Sequence, residues 1–293
     1  ESVAGDIVID AIEEVTLSQR SLIANDVEGV GKGGDIEISS NSFLMNFSVL
    51  SASTFSNGDA GTITINTNDS ITLQGQRQNN EGLLVSTIAN VAAPGSKGSV
   101  GGITVDTGSL SLLDGAVLST RTQSIGNSGE IVVNAESVAL FEGGRIETTT
   151  LADGNAGSIY INSQSVEVTG SNLMSGRSSG LFSSVGLFGS GISGGSGNGG
   201  NLTIITETLR VSNGGRISAD IFGTNPKAKA GSINIDADLV EVIGFNSDNQ
   251  FLSGIFAAVT PSSRGNAGDV TVETEILRLE NGGFISASTF GEG

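Results

Sequence analysis

The stretch of sequence that decides the fold is "GNAGDVTVETEILRLENGGFISASTFGEG", residues 265–293, because the chain repeats it with variations. A near copy, "GNAGSIYINSQSVEVTG", begins at Gly154, and the related "SNGGRISADIFG" begins at Ser212. Each copy has a glycine two residues before an apolar-x-apolar triplet, and we call it the anchor glycine. The chain has nine anchor glycines: Gly5, Gly34, Gly61, Gly101, Gly129, Gly157, Gly200, Gly231 and Gly268. Such internal repeats indicate a solenoid or a propeller.

The spacing of the anchor glycines predicts stacked coils of nearly constant length. Successive spacings are 29, 27, 40, 28, 28, 43, 31 and 37 residues, so the base unit is about 28 residues. Each unit contains three short runs of alternating apolar and polar residues, which is typical of β-strands with one buried face. The residue six positions after the anchor is small in every unit, as expected at a tight corner: Ala11, Ser40, Thr67, Thr107, Ala135, Ser163, Thr206, Ala237 and Thr274. A column of larger apolar residues is predicted further along, allowing a one-residue shift: Val27, Phe55, Leu151, Phe222 and Phe290.

These patterns predict an all-β fold, a right-handed parallel β-helix of about nine three-stranded coils that spans residues 1–293 as a single array. The hand follows from the crossover rule for parallel strands. Each coil adds roughly 4.8 Å, so the rod would be about 43 Å long. A propeller is the rival architecture, but its blades need about 40 or more residues. We expect a slice of a longer solenoid, because joining the last unit to the first makes another unit of ordinary length.

The composition excludes several classes of function. The chain has 44 Gly, 3 Pro, no Cys and no His, and its net charge is -18. Without Cys and His there is no thiolate nucleophile, no Ser/His pair and no zinc site of the usual kind. The acidity argues against nucleic acid as a partner, since binding to phosphate depends on Lys and Arg. No apolar run approaches the length that crosses a bilayer, so we expect no membrane insertion.

Three long units carry insertions between the second and third runs, at residues 75–82, 170–180 and 244–254. We expect all three to re-enter the repeat through Gly and two apolar residues, beginning at Gly82, Gly180 and Gly254. They should project from one corner of the rod, where polar loop residues on a rigid scaffold could bind a sugar or a partner. The candidate ligand or partner residues are Arg77, Asn79, Asn80, Glu81, Arg177, Asn246, Asp248 and Asn249. Loop growth without function is the alternative, because surface loops tolerate it cheaply.

Metal binding and catalysis leave weaker signals. "GKGGDIEI" from Gly31 faintly resembles calcium-binding nonapeptides, but the tandem nine-residue copies are missing. We expect no cofactor, with weak calcium binding by the acidic surface left open. Some parallel β-helices cleave polysaccharides with paired carboxylates. The candidate acids precede the small column: Asp10, Asp106, Asp236 and Glu273. We predict a solvated edge and no enzyme, with a carbohydrate-active lyase or hydrolase as the alternative.

The repeated motif, together with "VEVIGFNSDNQFLSGIF" from Val240, resembles the repeat region of filamentous-haemagglutinin-like exoproteins of the two-partner-secretion type, especially the cyanobacterial form. The resemblance covers essentially all nine units. It implies a right-handed parallel β-helix on or outside a Gram-negative-type cell, exported by an outer-membrane transporter. It also implies a role in adhesion, aggregation or filament formation. The family's amino-terminal secretion domain is not visible, so this segment would be shaft, with no family active residue carried over. Expected partners are further repeats or end-to-end copies, surface glycans and the transporter.

Overall fold

The computed structural model describes residues 3–79, 82–186, 196–223, 225, 227–246, 251–261 and 263–291. All regular secondary structure in these ranges is β-strand, and none of their residues forms a helix long and apolar enough to cross a membrane. The strands in chain order are β1 (Ile7–Asp10), β2 (Glu14–Ser18), β3 (Leu22–Ala24), β4 (Ile36–Asn46), β5 (Val49–Ser51), β6 (Ile63–Gln74), β7 (Gln76–Asn79), β8 (Gly82–Val85), β9 (Thr87–Ala92), β10 (Ile103–Leu112), β11 (Val117–Thr122), β12 (Ile131–Phe141), β13 (Arg145–Thr150), β14 (Ile159–Thr169), β15 (Gly180–Val185), β16 (Leu202–Ser212), β17 (Arg216–Ser218), β18 (Ile233–Ile243), β19 (Phe245–Asn246), β20 (Phe251–Leu252), β21 (Gly254–Phe256), β22 (Val270–Glu280) and β23 (Phe284–Ser286).

Two parallel sheets run the length of the described chain. The long-strand sheet has the order β1-β4-β6-β10-β12-β14-β16-β18-β22, and β2 also pairs with β4. The short-strand sheet has the order β23-β21-β17-β15-β13-β11-β9-β5-β3. Each coil therefore adds one strand to each sheet beside the strand of the coil before it. The described residues form nine coils of a parallel β-helix, which confirms the predicted fold class. Its right hand stays a prediction of the crossover rule.

The predicted first and second strands are halves of one long strand in eight of the nine described coils. Only the first coil divides them, into β1 and β2. The long strand bends at the predicted column of small residues, where hydroxyl groups bond to backbone two residues ahead. Ser40 Oγ donates to the Ser42 carbonyl at 2.8 Å, and Thr274 Oγ1 donates to the Ile276 carbonyl at 3.0 Å. In eight coils the strand therefore continues through the predicted corner, and in five of them a small hydroxyl residue makes this bond.

Aliphatic side chains stack in columns to form the core. One column runs through successive coils with each member in register with the next: Ile63, Ile103, Ile131, Ile159 and Leu202. All five are at most 1% exposed. The predicted column of larger apolar residues aligns with the one-residue shift that it allowed, because Val27 pairs with Thr54, the residue before Phe55. The column is not part of the core, since Phe55 is 56% exposed. Thr54 points inward because its hydroxyl donates to the Gly58 carbonyl at 2.6 Å.

The anchor glycines are required because successive coils approach closely. A Cβ on Gly157 would overlap the carbonyl oxygen of Gly129 in the preceding coil, and the same relation recurs along the anchor column. A second glycine ladder lies three residues earlier, where a Cβ on Gly154 would overlap the carbonyl oxygen of Gly126. Buried hydroxyl groups satisfy these carbonyls from inside, as when Thr148 Oγ1 donates to the Gly157 carbonyl at 2.6 Å. The two ladders explain why the motif Gly-x-x-Gly recurs in the sequence.

Candidate binding groove

Every coil turns from its long strand to its short strand through a residue with positive φ. In a short coil this residue is, for example, Asp114 (φ 55°), followed by Gly115 (φ 77°). In the three coils with insertions it is Gly75 (φ 87°), Gly170 (φ 79°) and Gly244 (φ 73°). Glycine adopts this left-handed conformation at no steric cost. All three insertions therefore leave from equivalent turns, so they share one corner, as predicted. We call this edge of the rod the hairpin corner.

The three insertions are small hairpins. The first pairs β7 with β8, the second closes with an antiparallel bridge between Ser171 and Ser178, and the third pairs β19 with β20. Gly180 and Gly254 start short strands, as predicted. The predicted re-entry at Gly82 is wrong: residues 82–85 form the second strand of the first hairpin, and the repeat resumes at Thr87.

Coil six carries extra length at a second place, after its short strand. This segment includes residues 187–195, which lie outside the described residues. The prediction that all extra length falls between the second and third runs is therefore incomplete. The hairpin corner remains the edge that the three insertions share.

A buried serine closes the base of each hairpin. Ser179 Oγ donates to the Thr169 carbonyl at 2.7 Å and accepts from the Gly143 amide of the preceding coil at 2.8 Å. Ser86 and Ser253 make the equivalent pair of contacts in the other two hairpins. Each of these serines therefore links the start and the end of its hairpin to the turn of the preceding coil. The hairpins are thus anchored to the coil stack at their bases.

Asn172 joins the second hairpin to the first across two intervening coils. Its Nδ2 donates to Gln76 Oε1 at 2.8 Å and to the Glu142 carbonyl at 3.1 Å. Its Oδ1 accepts from the amides of Met174 at 3.0 Å and Ser175 at 2.9 Å. The Asn172 side chain satisfies both its oxygen and its nitrogen in this way, and the residue is 1% exposed. A buried side-chain hydrogen bond therefore links the first two hairpins.

A groove of about 390 Å³ lies at this joined pair of hairpins, and we call it the corner groove. It is lined by two residues from each of four consecutive coils: Leu83, Val85, Gly115, Val117, Gly143, Arg145, Ser175 and Arg177. The first hairpin supplies aliphatic surface, and the later coils supply two guanidinium groups. Gly143 makes room for the hairpins, because a Cβ at this position would overlap the side chain of Asn172.

The guanidinium group of Arg145 belongs to a buried ion-pair network beside the groove. Arg121 Nη2 lies 2.9 Å from Glu147 Oε1, and Arg145 Nη2 lies 3.0 Å from Glu147 Oε2. The first contact is also a hydrogen bond, whereas the second is an ion pair by distance. Burial by itself would raise the pKa of Glu147, but the charges of Arg145 and Arg121 lower it to about 2. The Glu147 carboxylate is therefore held in its charged form.

Further arginines surround this network. Burial lowers the pKa of Arg145, Glu147 opposes that effect, and the positive charges of three other arginines add to it: Arg177, Arg121 and Arg216. An arginine side chain nevertheless stays protonated in proteins. The positive charges of Arg121, Arg177 and Arg216 thus all act on Arg145.

Two of these arginines stack on phenylalanine rings. Arg145 Cζ lies 4.2 Å from the centroid of Phe182, and Arg216 Cζ lies 4.2 Å from the centroid of Phe256. Glycine makes the stacking possible, because a Cβ on Gly180 would overlap the Phe182 ring. A stacked planar guanidinium has little freedom to reorient. Arg145 is consequently fixed before any ligand arrives.

The structure places one predicted site residue, Arg177, in the corner groove. Arg77 is exposed on β7 of the first hairpin, and it does not line the groove. Asn79 and Asn246 belong to β7 and β19, although only their backbones are described. The remaining four predicted residues lie outside the described residues: Asn80, Glu81, Asp248 and Asn249.

Arg145, Glu147 and Phe182 are not among the predicted site residues, although the sequence contains a signal for them. The short strands "RIETTT", "GLFSSV", "RIS", "GIF" and "FIS" align in register. Their first column reads Arg, Gly, Arg, Gly, Phe, and their third reads Glu, Phe, Ser, Phe, Ser. The alternation of Arg with Gly-x-Phe predicts rings folded back over glycine beside a guanidinium group.

A second groove follows the bend of the long strands, and we call it the bend groove. Two segments of about 650 and 690 Å³ cover it from the first coil to the eighth. Three of the predicted acids line it: Asp10, Asp106 and Asp236. Glu273 is the register neighbour of Asp236 in the next coil. Within the described ranges, no cluster of three or more acidic side chains could hold a metal ion.

Comparison with protein-family models, with curated proteins and with solved structures found no match for this chain. The two candidate sites are therefore identified from the geometry of this chain alone. The bend groove repeats one column of short polar residues, whereas the corner groove takes different residue types from four coils.

Proposed function

We propose that this chain is a structural and adhesive rod displayed outside the cell, the shaft of a filamentous-haemagglutinin-like exoprotein. One observation carries the proposal: the parallel ladders continue through nine coils, while the hairpins stand on a single corner. The first two hairpins share one buried contact and enclose the corner groove. A continuous stack of coils can hold a binding surface away from the cell, and the hairpins on one edge can form that surface.

The coil stack supplies the reach. Neighbouring long strands share up to ten register pairs, as β12 and β14 do, and the aliphatic columns run beneath them. Backbone ladders and a continuous core resist bending more than a string of separate domains does. The net charge of -18 keeps such an exposed rod soluble.

Location and partners form part of the same proposal. The rod is extracellular or lies on the outer surface of a Gram-negative-type bacterium, and an outer-membrane transporter exports it. Further repeats or end-to-end copies extend it, surface glycans are ligands of its decorated edge, and calcium binds only weakly. The repeated motif supports this view through its resemblance to such exoproteins. The chain acts by binding and not by catalysis.

Adhesion under flow tests the proposal. Beads coated with the chain are passed over surfaces that carry glycans or whole cells, with and without calcium, and attached beads are counted. The matched variant replaces each of the three hairpins by the Asp114-Gly115 turn of the fourth coil, which leaves the stack unchanged. We expect attachment by the original chain and its loss in the variant.

Absence of attachment by the original chain above the level of uncoated beads would refute the adhesive role. Release of reducing ends from a polysaccharide, lost on replacement of Asp236 and Glu273, would favour the carbohydrate-active enzyme instead. Unchanged attachment of the trimmed variant would move the adhesive surface away from the hairpins.

A further inference from the structure

We propose that the corner groove binds a carboxylate-bearing sugar, a uronic acid unit of an acidic glycan, through Arg177 and Arg145. This inference rests on the proposed adhesive function and names the class of ligand. It assigns the recognition to one place on an otherwise acidic rod.

Charge distribution provides the first argument. The chain has 31 acidic and only 13 basic residues. At the corner groove the balance is reversed, because the lining contains Arg145 and Arg177 and no acidic residue, while Glu147 pairs with Arg145 beside it. Glu142 and Asp114 lie on the neighbouring turns, where Asp114 accepts from the Gly75 amide, and neither lines the groove. The local surplus is cationic, which favours an anionic ligand.

Arg177 is the cation that is available to a ligand. Its side chain is exposed, it lines the groove, and no carboxylate in the described ranges pairs with it. A guanidinium group matches the geometry of a carboxylate and can donate two parallel hydrogen bonds to it. Arg177 therefore supplies the direct contact.

Arg145 supplies a fixed second charge. Its guanidinium group is stacked on Phe182 and paired with Glu147, so ligand binding does not have to order it. Immobilising a free side chain on binding costs roughly 0.5–1.5 kcal/mol. A preorganised cation beside an exposed one suits a single negative charge on a compact ring.

The opposite side of the groove argues for a sugar. Leu83, Val85 and Val117 present aliphatic surface, which complements the C–H face of a pyranose ring. Ser175 adds a hydroxyl group, and Gly115 and Gly143 keep the centre free of side chains. The volume of about 390 Å³ falls within the usual range of small-ligand clefts, about 300–1,000 Å³.

Long-range electrostatic repulsion determines which ligand can be used to test the groove. The net charge of -18 repels a long polyanion, whereas screening limits this repulsion to about 8 Å at an ionic strength of about 0.15 M. A short uronate oligomer at that ionic strength therefore tests the groove itself. Divalent cations could bridge two acidic surfaces, so the buffer contains EDTA.

The experiment is titration calorimetry of the full chain with trigalacturonate. The matched ligand is the fully methyl-esterified trimer, which keeps the shape and loses the charge. The test variant is Arg177→Gln. The control is Arg278→Gln, which removes the same charge from a residue with a 48% exposed side chain on β22, while Arg210 continues to pair with Glu241.

We expect Arg177→Gln to weaken trigalacturonate binding at least tenfold and Arg278→Gln to change it less than twofold. The methyl ester should bind at least tenfold more weakly than the acid. The inference is overturned by absence of binding, by equal binding of the ester, or by equal losses in both variants. Tighter binding of hexaglutamate than of trigalacturonate would also overturn it, because the ligand would then be an acidic peptide.

The flow assay separates this inference from the proposed function. If beads coated with the original chain attach but trigalacturonate does not bind, the uronate assignment fails and the adhesive rod stands. If the beads do not attach but trigalacturonate binds through Arg177, the groove stands and the adhesive role fails.

Discussion

The bend groove and the corner groove lie on one coil stack, but they use the repeat in opposite ways. Each coil contributes a similar set of short polar residues to the bend groove, such as Asp106 beside Asn134. The corner groove combines hairpins from the third and sixth coils with turns and strands of the two coils between them. The first surface is long and uniform, whereas the second occurs once among the described residues.

The difference shows where a repeat protein can build a specific site. Positions that make the same contact in every coil are restricted to residues that stack well. The surface that these residues form is shallow and uniform. Asp106 Oδ1, for example, accepts from Asn134 Nδ2 of the next coil at 2.7 Å. Specific recognition needs residues that differ between coils, and the left-handed turns allow such residues to be inserted without disturbing the stack.

The largest contrast between the grooves is expected on removal of one acid from each. Glu147→Ala leaves Arg121 and Arg145 without their buried partner, which typically costs about 3–5 kcal/mol. Asp106→Ala should cost only about 0.5–1.5 kcal/mol, the net contribution of its hydrogen bond from Asn134. Chemical denaturation of both variants measures the difference. Similar midpoints for the two variants would show that Glu147 stabilises the folded chain no more than Asp106 does.

Acid should destabilise the corner groove selectively. The pKa of Glu147 is about 2 in the folded chain against an ordinary 4.5, so its ion pairs contribute fully above pH 4.5. That contribution, up to about 3 kcal/mol, is lost as the pH falls from 4.5 towards 2. Asp220 acts in the opposite direction, because burial raises its pKa and its protonation favours the folded chain.

Thermal melting between pH 6 and pH 2 measures this pH effect. We expect Glu147→Gln to flatten the acid limb of the curve. An unchanged slope in Glu147→Gln would assign the acid sensitivity to other carboxylates.

The contact between the hairpins should have an intermediate effect. Asn172→Ala removes the link to Gln76 and leaves the Glu142 carbonyl without that donor, which costs about 1–3 kcal/mol. In the original chain, the amides of Met174 and Ser175 donate hydrogen bonds to Asn172 Oδ1. Hydrogen exchange at these two amides should accelerate in the variant. Asn134→Ala in the bend groove is the matched control, and its exchange pattern should stay the same. Equal exchange in both variants would mean that the hairpins hold their shape independently.

The smallest effect is expected within the bend groove and has the opposite sign. Asp236 and Glu273 are register neighbours in adjacent coils, where like charges repel. Asp236→Asn combined with Glu273→Gln should raise stability by about 0.2–1 kcal/mol, the range of cross-strand pairs. The gain should shrink in 1 M salt, where the screening length falls to about 3 Å. Melting temperatures at low and high salt measure it, and a loss of stability at both would contradict the repulsion.

Sequence periodicity predicted the coil stack because one physical demand recurs in every unit. The anchor glycines and the small bend residues can be read from a simple alignment. The site could be predicted only in part: Arg177 lies on an insertion, which is visible as extra length. Arg121 and Arg145 occupy different register positions, and only the fold brings them to one carboxylate. The hairpin re-entry at Gly82 was mistaken because residues 82–84 copy the pattern of a short strand without taking its place.

The glycine ladders also bear on how such a chain changes length. Each anchor glycine faces the anchor of the coil before it, so this close contact is the same between all neighbouring coils. A duplication that copies one complete unit of the gene would copy both sides of this contact together, and the longer rod would need no new contact of this kind. A deletion that removes part of a unit would leave two unmatched surfaces. We therefore expect inherited length changes in such rods to come in whole coils.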